Sequence, residues 1–279
     1  MSWKYSITLS SFKNLEPIEK TLENLKYLGF DAVEVYGEPD SIDITRISQI
    51  LDSLSMAVSG VTGMWSSNNS NSKFRKLVTN DNNALRDVKN YVKKCITLCH
   101  SLGGKTFNIC LFSDPPLTID GNHKSLLRDD KRKLISASIE PVRELAQYAK
   151  NYDVDLLIEP LNRYSTPICT DSKDARYMVE QLNQENVGIL LDTFHMNIEE
   201  DSIADAIMKT GKMLKHVHVS DNNRKMPGLA HIDFKSIVAA LKKINYMKFL
   251  TFEPSIQKID YKNDLKYGLE HLRNLSKIR

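Results

Sequence analysis

The sequence predicts an α/β fold, a closed (β/α)8 (TIM) barrel that forms a single domain over residues 1–279. Short apolar runs of the kind found in buried parallel strands alternate with longer amphipathic helical patterns along the whole chain. We count eight such strand–helix repeats, the number that closes a barrel of parallel strands. The length of 279 residues suits one barrel of about 250 residues, and we find no linker.

The first half of the chain contains four of the predicted strands. In the first helix, Ile18, Leu22 and Leu25 fall on one face, and Gly29 follows as the residue that ends it. The predicted strands are residues 5–9, 31–36, 57–62 and 106–111, and the predicted helices are residues 17–28, 44–54 and 83–102.

Two segments of this half are longer than ordinary strand–helix connections, residues 65–82 and 112–128. Both would lie on the same rim of the barrel, where long loops commonly cover an active site. Trp65 stands at the head of the first loop. It is a candidate to stack on a substrate, although aromatic loop residues more often pack the loop against the protein.

The second half continues the pattern with four strands and five helices. Asp233 is a helix N-cap in it. The predicted strands are a run ending at Glu159 and residues 187–192, 214–219 and 249–253, and the predicted helices are residues 131–151, 172–182, 202–209, 233–244 and 261–278.

Each strand of the second half ends with a side chain that can bind a metal, namely Glu159, Asp192, His218 and Glu253. One acid at a strand end is more often a helix cap or a solvated loop residue. The carboxyl ends of barrel strands converge at one mouth, however, so all four would face a common volume. Three carboxylates and one imidazole favour one divalent ion, Mn2+, Mg2+ or Co2+, with Zn2+ as an alternative. Without a cation the three acids would repel one another.

Such a site predicts chemistry on a sugar. A divalent ion that holds adjacent carbonyl and hydroxyl oxygens acidifies the neighbouring C–H bond and stabilises the enediolate that forms. Glu159 and Glu253 could lie on opposite sides of that carbon, one removing a proton and the other returning one, which inverts the centre. His195 and Arg224 are within reach of substrate oxygens, although the run around Arg224 also suits a surface position. His216 is left out of the ligand set as a core or supporting residue.

Composition restricts the partners. The net charge is +3, from 38 basic and 35 acidic residues, which is too small to indicate nucleic-acid binding. The sequence contains no run of about 20 apolar residues and no N-terminal leader pattern, so we expect a cytoplasmic protein that does not bind membranes. The four cysteines form no zinc-type CxxC pair and are predicted to be buried thiols.

Motifs around the predicted ligands resemble a known family. They are Glu159-Pro160-Leu161-Asn162-Arg163-Tyr164, Asp192-Thr193-Phe194-His195-Met196-Asn197-Ile198-Glu199-Glu200-Asp201, His216-Val217-His218 followed by Asn223-Arg224, and Phe252-Glu253-Pro254. With these motifs the chain resembles the ketose 3-epimerases, the D-tagatose and D-psicose 3-epimerase group of the xylose-isomerase-like barrels. The similarity is strong over residues 158–254 and only architectural before them.

The resemblance implies one Mn2+, Co2+ or Mg2+ ion held by the four predicted ligands, with Mn2+ favoured, and a ketose as the substrate. It implies proton transfer at C3 by Glu159 and Glu253, substrate binding near O1 and O2 by His195 and Arg224, and a homodimer or homotetramer. Ser165 departs from the family, which has a substrate-binding glutamate at this position, and this leaves the identity of the sugar open.

Other reactions suit the same predicted barrel. The metal site could serve an aldose–ketose or hydroxypyruvate-type isomerase, a sugar-phosphate epimerase or an inosose-type dehydratase. An endonuclease IV-like DNA repair enzyme would need a zinc cluster with more than the seven histidines present and a basic groove. A sugar-binding protein without catalysis would not need two opposed carboxylates.

Overall fold

The computed structural model describes residues 3–12, 15–65, 75–114, 128–257 and 261–278. Eight parallel strands close into a barrel in the order β1-β2-β3-β5-β7-β8-β9-β10, which confirms the predicted fold class. The strands are β1 (Lys4–Thr8), β2 (Ala32–Tyr36), β3 (Ala57–Thr62), β4 (Val78–Thr79), β5 (Thr106–Ile109), β6 (Ser113–Asp114), β7 (Asp155–Ile158), β8 (Val187–Asp192), β9 (Leu214–Val219) and β10 (Phe249–Phe252).

Helices surround the barrel, and most lie within a few residues of their predicted bounds. They are α1 (Ile18–Leu28), α2 (Ile44–Ser53), α3 (Asn82–Ser101), α4 (Arg128–Lys150), α5 (Ser172–Leu182), α6 (Thr193–Glu199), α7 (Ile203–Thr210), α8 (Phe234–Lys243) and α9 (Lys262–Lys277). We did not anticipate α6. It starts directly at the end of β8 because the Asp192 side chain accepts a hydrogen bond from the Phe194 N–H at 2.9 Å and so caps the helix.

The two long loops of the first half meet on the predicted rim. Their described ends form a small parallel sheet in which Val78 pairs with Ser113 and Thr79 with Asp114. Residues 66–74 and 115–127 lie outside the described residues. The structure therefore describes only the ends of the two loops that we predict to cover the active site. Among the helices that the structure describes, none has the length and apolar character needed to cross a membrane.

The register of the second-half strands places the predicted ligands at one level. Asp192 is paired with His218 across β8 and β9, and His218 with Thr251 across β9 and β10. The N–H of Glu253 donates to the carbonyl oxygen of Val219, and the N–H of Glu159 to that of Ile109. These ladder bonds bring the ends of neighbouring strands to the same mouth of the barrel.

Gly60 marks a close approach between β3 and β5. A Cβ atom at this position would lie 2.7 Å from the carbonyl oxygen of Thr106 and even closer to its hydroxyl. Both strands are held in the closed barrel, so neither can move away without breaking ladder hydrogen bonds.

We therefore expect Gly60→Ala to destabilise the protein by about 1–3 kcal/mol, measured by urea unfolding. Ala57→Ser, at an exposed position of the same strand, should remain within about 0.5 kcal/mol. Equal stability of both variants would show that the barrel can widen here.

Candidate active site

The four predicted ligands converge at the mouth of the barrel. His218 Nδ1 lies 3.4 Å from Glu253 Oε2 and 3.8 Å from Glu159 Oε1. Asp192, His218 and Glu253 each contribute one donor atom to a group whose atoms all lie within 4.8 Å of one another. Glu159, Asp192 and His195 form a second group of the same size. The structure thus brings all four predicted side chains to one mouth of the barrel, where Asp192, His218 and Glu253 form one group that could hold an ion and Glu159 belongs to an overlapping group.

The electrostatics of this group fit a bound cation. Burial and the neighbouring Glu253 and Asp192 raise the pKa of Glu159 to about 7, against the opposing effect of His218. Burial lowers the pKa of His218, but Glu34 and Glu253 raise it well above its usual value. His218 Nδ1 is buried and has no hydrogen-bond partner among the described residues. A surplus of carboxylates around an unpaired nitrogen is what a divalent ion would satisfy.

Arg224 supplies positive charge to the same carboxylates. Its Nη1 lies 2.7 Å from Asp192 Oδ2 and 2.8 Å from Glu253 Oε2. Burial would raise the pKa of Glu253, but the charges of Arg224 and His218 lower it. The guanidinium also lies 4.2 Å over the ring of Phe194. Arg224 therefore points into the site.

His195, on α6, directs one ring nitrogen, Nε2, into the site. The backbone N–H of Asn162 donates to His195 Nδ1 at 3.1 Å. A peptide N–H can only donate, so Nδ1 is the acceptor of this hydrogen bond. Burial lowers the pKa of His195 and keeps the ring neutral. Nε2 lies 3.5 Å from Asp192 Oδ2 and 3.1 Å from Arg224 Nη2.

Two residues of the β5 segment that the sequence analysis missed restrain Glu159. The Gly63 N–H donates to Asn108 Oδ1 at 2.7 Å, which fixes the amide so that Asn108 Nδ2 donates to Glu159 Oε2 at 2.5 Å. The thiol of Cys110 donates to the same oxygen at 3.3 Å. All four cysteines are buried and free, as predicted. The sequence did contain a signal for these two residues. Asn108 and Cys110 stand at alternate positions of the segment, so their side chains face the barrel interior together.

Comparison with known proteins places this site in a family. Residues 22–275 match the family model described as the xylose isomerase-like TIM barrel. The chain belongs to this family. It is 40% identical over 128 residues to a D-psicose 3-epimerase of Ruminiclostridium cellulolyticum, a match that covers 46% of this chain and 44% of that protein. The match to this curated relative thus spans less than half of the relative's length.

Two further similarities extend over nearly the whole barrel. The 3-dehydro-D-guloside 4-epimerase of Escherichia coli is 28% identical over 265 residues, which cover 91% of this chain and 95% of that protein. The crystal structure of a D-psicose 3-epimerase with D-tagatose from Clostridium cellulolyticum H10 superposes with a TM-score of 0.84 at 26% identity, over 99% of this chain and 100% of the other. The predicted resemblance to this group of xylose isomerase-like barrels is confirmed.

In this xylose isomerase-like barrel, a buried carboxylate shapes the loop that carries Arg224. Asp221 accepts four backbone hydrogen bonds at 2.9–3.0 Å, from the N–H groups of Asn222, Gly228, Ala230 and Ile232. Arg224 itself adopts a left-handed conformation, with φ of 59°, which is costly for a residue other than glycine. The dense bonding at Asp221 stabilises this turn. We missed Asp221 because its four partners are spread over eleven residues of loop sequence.

Trp65 lies at the described end of the first long loop. Its ring packs edge-on against Phe112 with 5.2 Å between the ring centroids, and 40% of the residue is exposed. The contact between Trp65 and Phe112 joins the described ends of the two long loops on the barrel rim. A role for Trp65 in substrate binding stays a prediction.

A cavity of about 430 Å³ opens beside the carboxylates. Its lining combines Arg224 and Glu253 with three serines and two apolar residues, Ser10, Ser11, Ser255, Pro254 and Ile256. Cavities of this size accept small organic molecules. Glu253 and Arg224 of this xylose isomerase-like barrel therefore border a space that can hold a monosaccharide.

Proposed function

We propose that this protein epimerises a ketose at C3 and binds one divalent metal ion through Glu159, Asp192, His218 and Glu253. The observation that carries the proposal is the pair Glu159 and Glu253, whose carboxylates both approach His218 Nδ1 from different strands of the barrel. Relatives named D-psicose 3-epimerase and L-ribulose 3-epimerase support the reaction. When bound, the ion, for which Mn2+ suits the oxygen-rich ligands, polarises the substrate carbonyl and lowers the pKa of the neighbouring C–H group.

The two acids are suited to opposite proton transfers. Without a metal ion the pKa of Glu159 is raised to about 7, whereas that of Glu253 is lowered, so the surroundings of the two carboxylates give them different affinities for a proton. In one direction Glu253 removes the proton from C3 and Glu159 delivers a proton to the opposite face. After this transfer Glu253 is protonated and Glu159 is ionised. In the reverse direction Glu159 therefore removes the proton and Glu253 delivers one.

Hydrogen-bond donors complete the proposed site. The guanidinium of Arg224 would donate to the substrate oxygens on which negative charge develops, and His195, whose Nε2 points into the site, would contact the same oxygens. Asn108 and Cys110 hold one oxygen of Glu159, which keeps the carboxylate in a fixed orientation during the transfer. The cavity beside Glu253 and Arg224 would hold the rest of the sugar.

Isotope exchange tests this function directly. We expect the protein, supplied with Mn2+ and a panel of free ketoses in heavy water, to incorporate deuterium at C3 and to form the C3 epimer. Nuclear magnetic resonance locates the deuterium and chromatography identifies the product. Movement of the carbonyl to C1 would instead indicate an aldose–ketose isomerase, and no exchange with any ketose would contradict the proposal.

Removal of metal should abolish the activity. Dialysis against EDTA is expected to reduce epimerisation to background, because the acids would then lack the charge that polarises the substrate. Addition of Mn2+ should restore the rate and saturate at one ion per chain, measured by metal analysis beside the activity assay. Full activity in protein that contains less than about a tenth of an equivalent of any divalent metal would contradict the metal requirement.

A second candidate is the epimerisation of a 3-keto glycoside at C4. The Escherichia coli 4-epimerase is similar over nearly the full length of both chains. A second cavity of about 500 Å³ shares Arg224, Pro254 and Ser255 with the first and extends towards Leu229 and Leu265, which would accommodate the non-reacting part of a glycoside. The same acid pair would act, since C4 is next to the C3 carbonyl. Faster exchange at C4 of a 3-keto glycoside than at C3 of any free ketose would favour this function.

A further inference from the structure

A buried carboxylate that no prediction assigned lies beneath the proposed metal site. Glu34, on β2, is 2% exposed. Its Oε2 lies 2.9 Å from His218 Nε2, and its Oε1 lies 3.2 Å from His216 Nε2. Since β2 and β9 are not neighbours in the barrel, the Glu34 side chain reaches these rings across the barrel interior.

We propose that Glu34 is a positioning residue that holds the His218 imidazole with Nε2 towards itself and Nδ1 towards Glu159 and Glu253. The inference rests on the proposed function, because it takes His218 as a metal ligand.

The two ring nitrogens of His218 face different groups. Nδ1 faces the carboxylates of Glu253 and Glu159, and Nε2 faces Glu34. A neutral imidazole that binds a metal through Nδ1 must carry its proton on Nε2. A carboxylate beside Nε2 selects this tautomer, which is the usual arrangement for a metal-binding histidine. Glu34 Oε2 and His218 Nε2 are both buried, and neither has an aligned hydrogen bond among the described residues. Their contact at 2.9 Å therefore gives each of these two polar atoms an oppositely polarised neighbour.

His216 supports Glu34 from the other side. Its Nε2 lies 3.2 Å from Glu34 Oε1 and 2.9 Å from the hydroxyl of Thr251. The rings of His216 and His218 pack edge-on with 5.3 Å between their centroids. A buried carboxylate is costly unless it is paired, and here both of its oxygens have an imidazole partner. The set of Glu34, His216 and His218 therefore forms a supporting layer below the proposed ligands.

The same three side chains could instead bind an ion of their own. One donor atom from each lies within 4.8 Å of the others. Such a site would have to share His218 with the proposed site, so that both ring nitrogens lost their protons, and an imidazolate is far less accessible than a neutral ring. The positioning role needs no such ionisation. The number of ions bound per chain separates the two interpretations.

Metal titration provides the test. We would titrate Mn2+ alone into metal-free protein by calorimetry and compare wild type with Glu34→Gln. Wild type should bind one ion per chain, and Glu34→Gln should bind one ion about 10–100-fold more weakly, the range typical of outer partners of metal-binding histidines. Glu144→Gln is the matched control, since Glu144 pairs with Lys89 and Lys93 on the outer helices, and its affinity should equal that of wild type.

A second measurement on wild type does not depend on folding of the variant. In protein loaded with diamagnetic Zn2+, nitrogen–proton correlation spectra of the histidine side chains should show His218 protonated on Nε2. Three results would each overturn the positioning role. The first is a His218 proton on Nδ1, and the second is an unchanged Mn2+ affinity in folded Glu34→Gln. The third is a wild type that binds two ions per chain while Glu34→Gln binds one. Wild type that binds no divalent ion would overturn the proposed metal site itself, which distinguishes the two failures.

Discussion

Replacing Glu159 or Glu253 with glutamine is expected to reduce the epimerisation rate by a factor of about 10³ or more, since a positioned acid or base contributes about 10²–10⁴ to such reactions. Glutamine keeps the size of the side chain but cannot take up or release the proton. The double variant should lose hydrogen exchange at C3 from both epimers. The rates are measured in heavy water by the loss of the C3 proton signal.

Because both glutamates are proposed metal ligands, the experiment must separate metal loss from lost proton transfer. The variants are therefore assayed at saturating Mn2+, with the bound metal determined on the same samples. Glu144→Gln, on the outer surface of the barrel, should keep the wild-type rate. A double variant that retained full activity would reject the assignment of Glu159 and Glu253 as the acid–base pair.

Replacing Asp221 with asparagine should cause the second-largest effect, a loss of both stability and activity. Two backbone N–H groups donate to each oxygen of Asp221. Asparagine turns one oxygen into an NH2 group, so two backbone donors that are at least partly buried lose their acceptor. At about 1–3 kcal/mol for each unsatisfied group, we expect a loss of roughly 3 kcal/mol in the free energy of unfolding. The turn that holds Arg224 should then relax, and kcat/KM should fall by about tenfold or more, the equivalent of at least about 1.4 kcal/mol.

Urea unfolding and steady-state kinetics on the same preparation measure the two effects. Asp52→Asn, at an exposed position of α2, is the matched control and should change stability by less than about 0.5 kcal/mol. If Asp221→Asn lost stability but retained the wild-type KM and kcat, the loop would be structurally important without positioning Arg224.

Much of the fold follows from local patterns in the chain. Apolar runs of strand length and helical periodicities repeat eight times, and parallel strands with covered faces have few ways to close other than as a barrel. The four predicted ligands come together because each stands at the carboxyl end of a strand. The β8–α6 junction was harder to predict, since the same Asp192 that ends a strand also caps a helix, and we interpreted the residues after it only as a motif.

The supporting residues of the site depend on contacts across the barrel. Glu34 meets His218 although 184 residues separate them along the chain, and Asn108 meets Glu159 across 51 residues. Periodicity indicates which face of a strand is buried, but it does not tell which side chain lies opposite in a closed barrel.

By itself, the sequence of this protein determined the order of strands and helices, the closure of the barrel and the four side chains at its mouth. Each of these depends on local periodicity and on the common direction of parallel strands. Only the tertiary structure decided that Glu34 faces His218, that Asn108 and Cys110 hold Glu159, and that Asp221 shapes the turn of Arg224. These contacts depend on the stagger and interior packing of the closed barrel, which arise when distant segments meet.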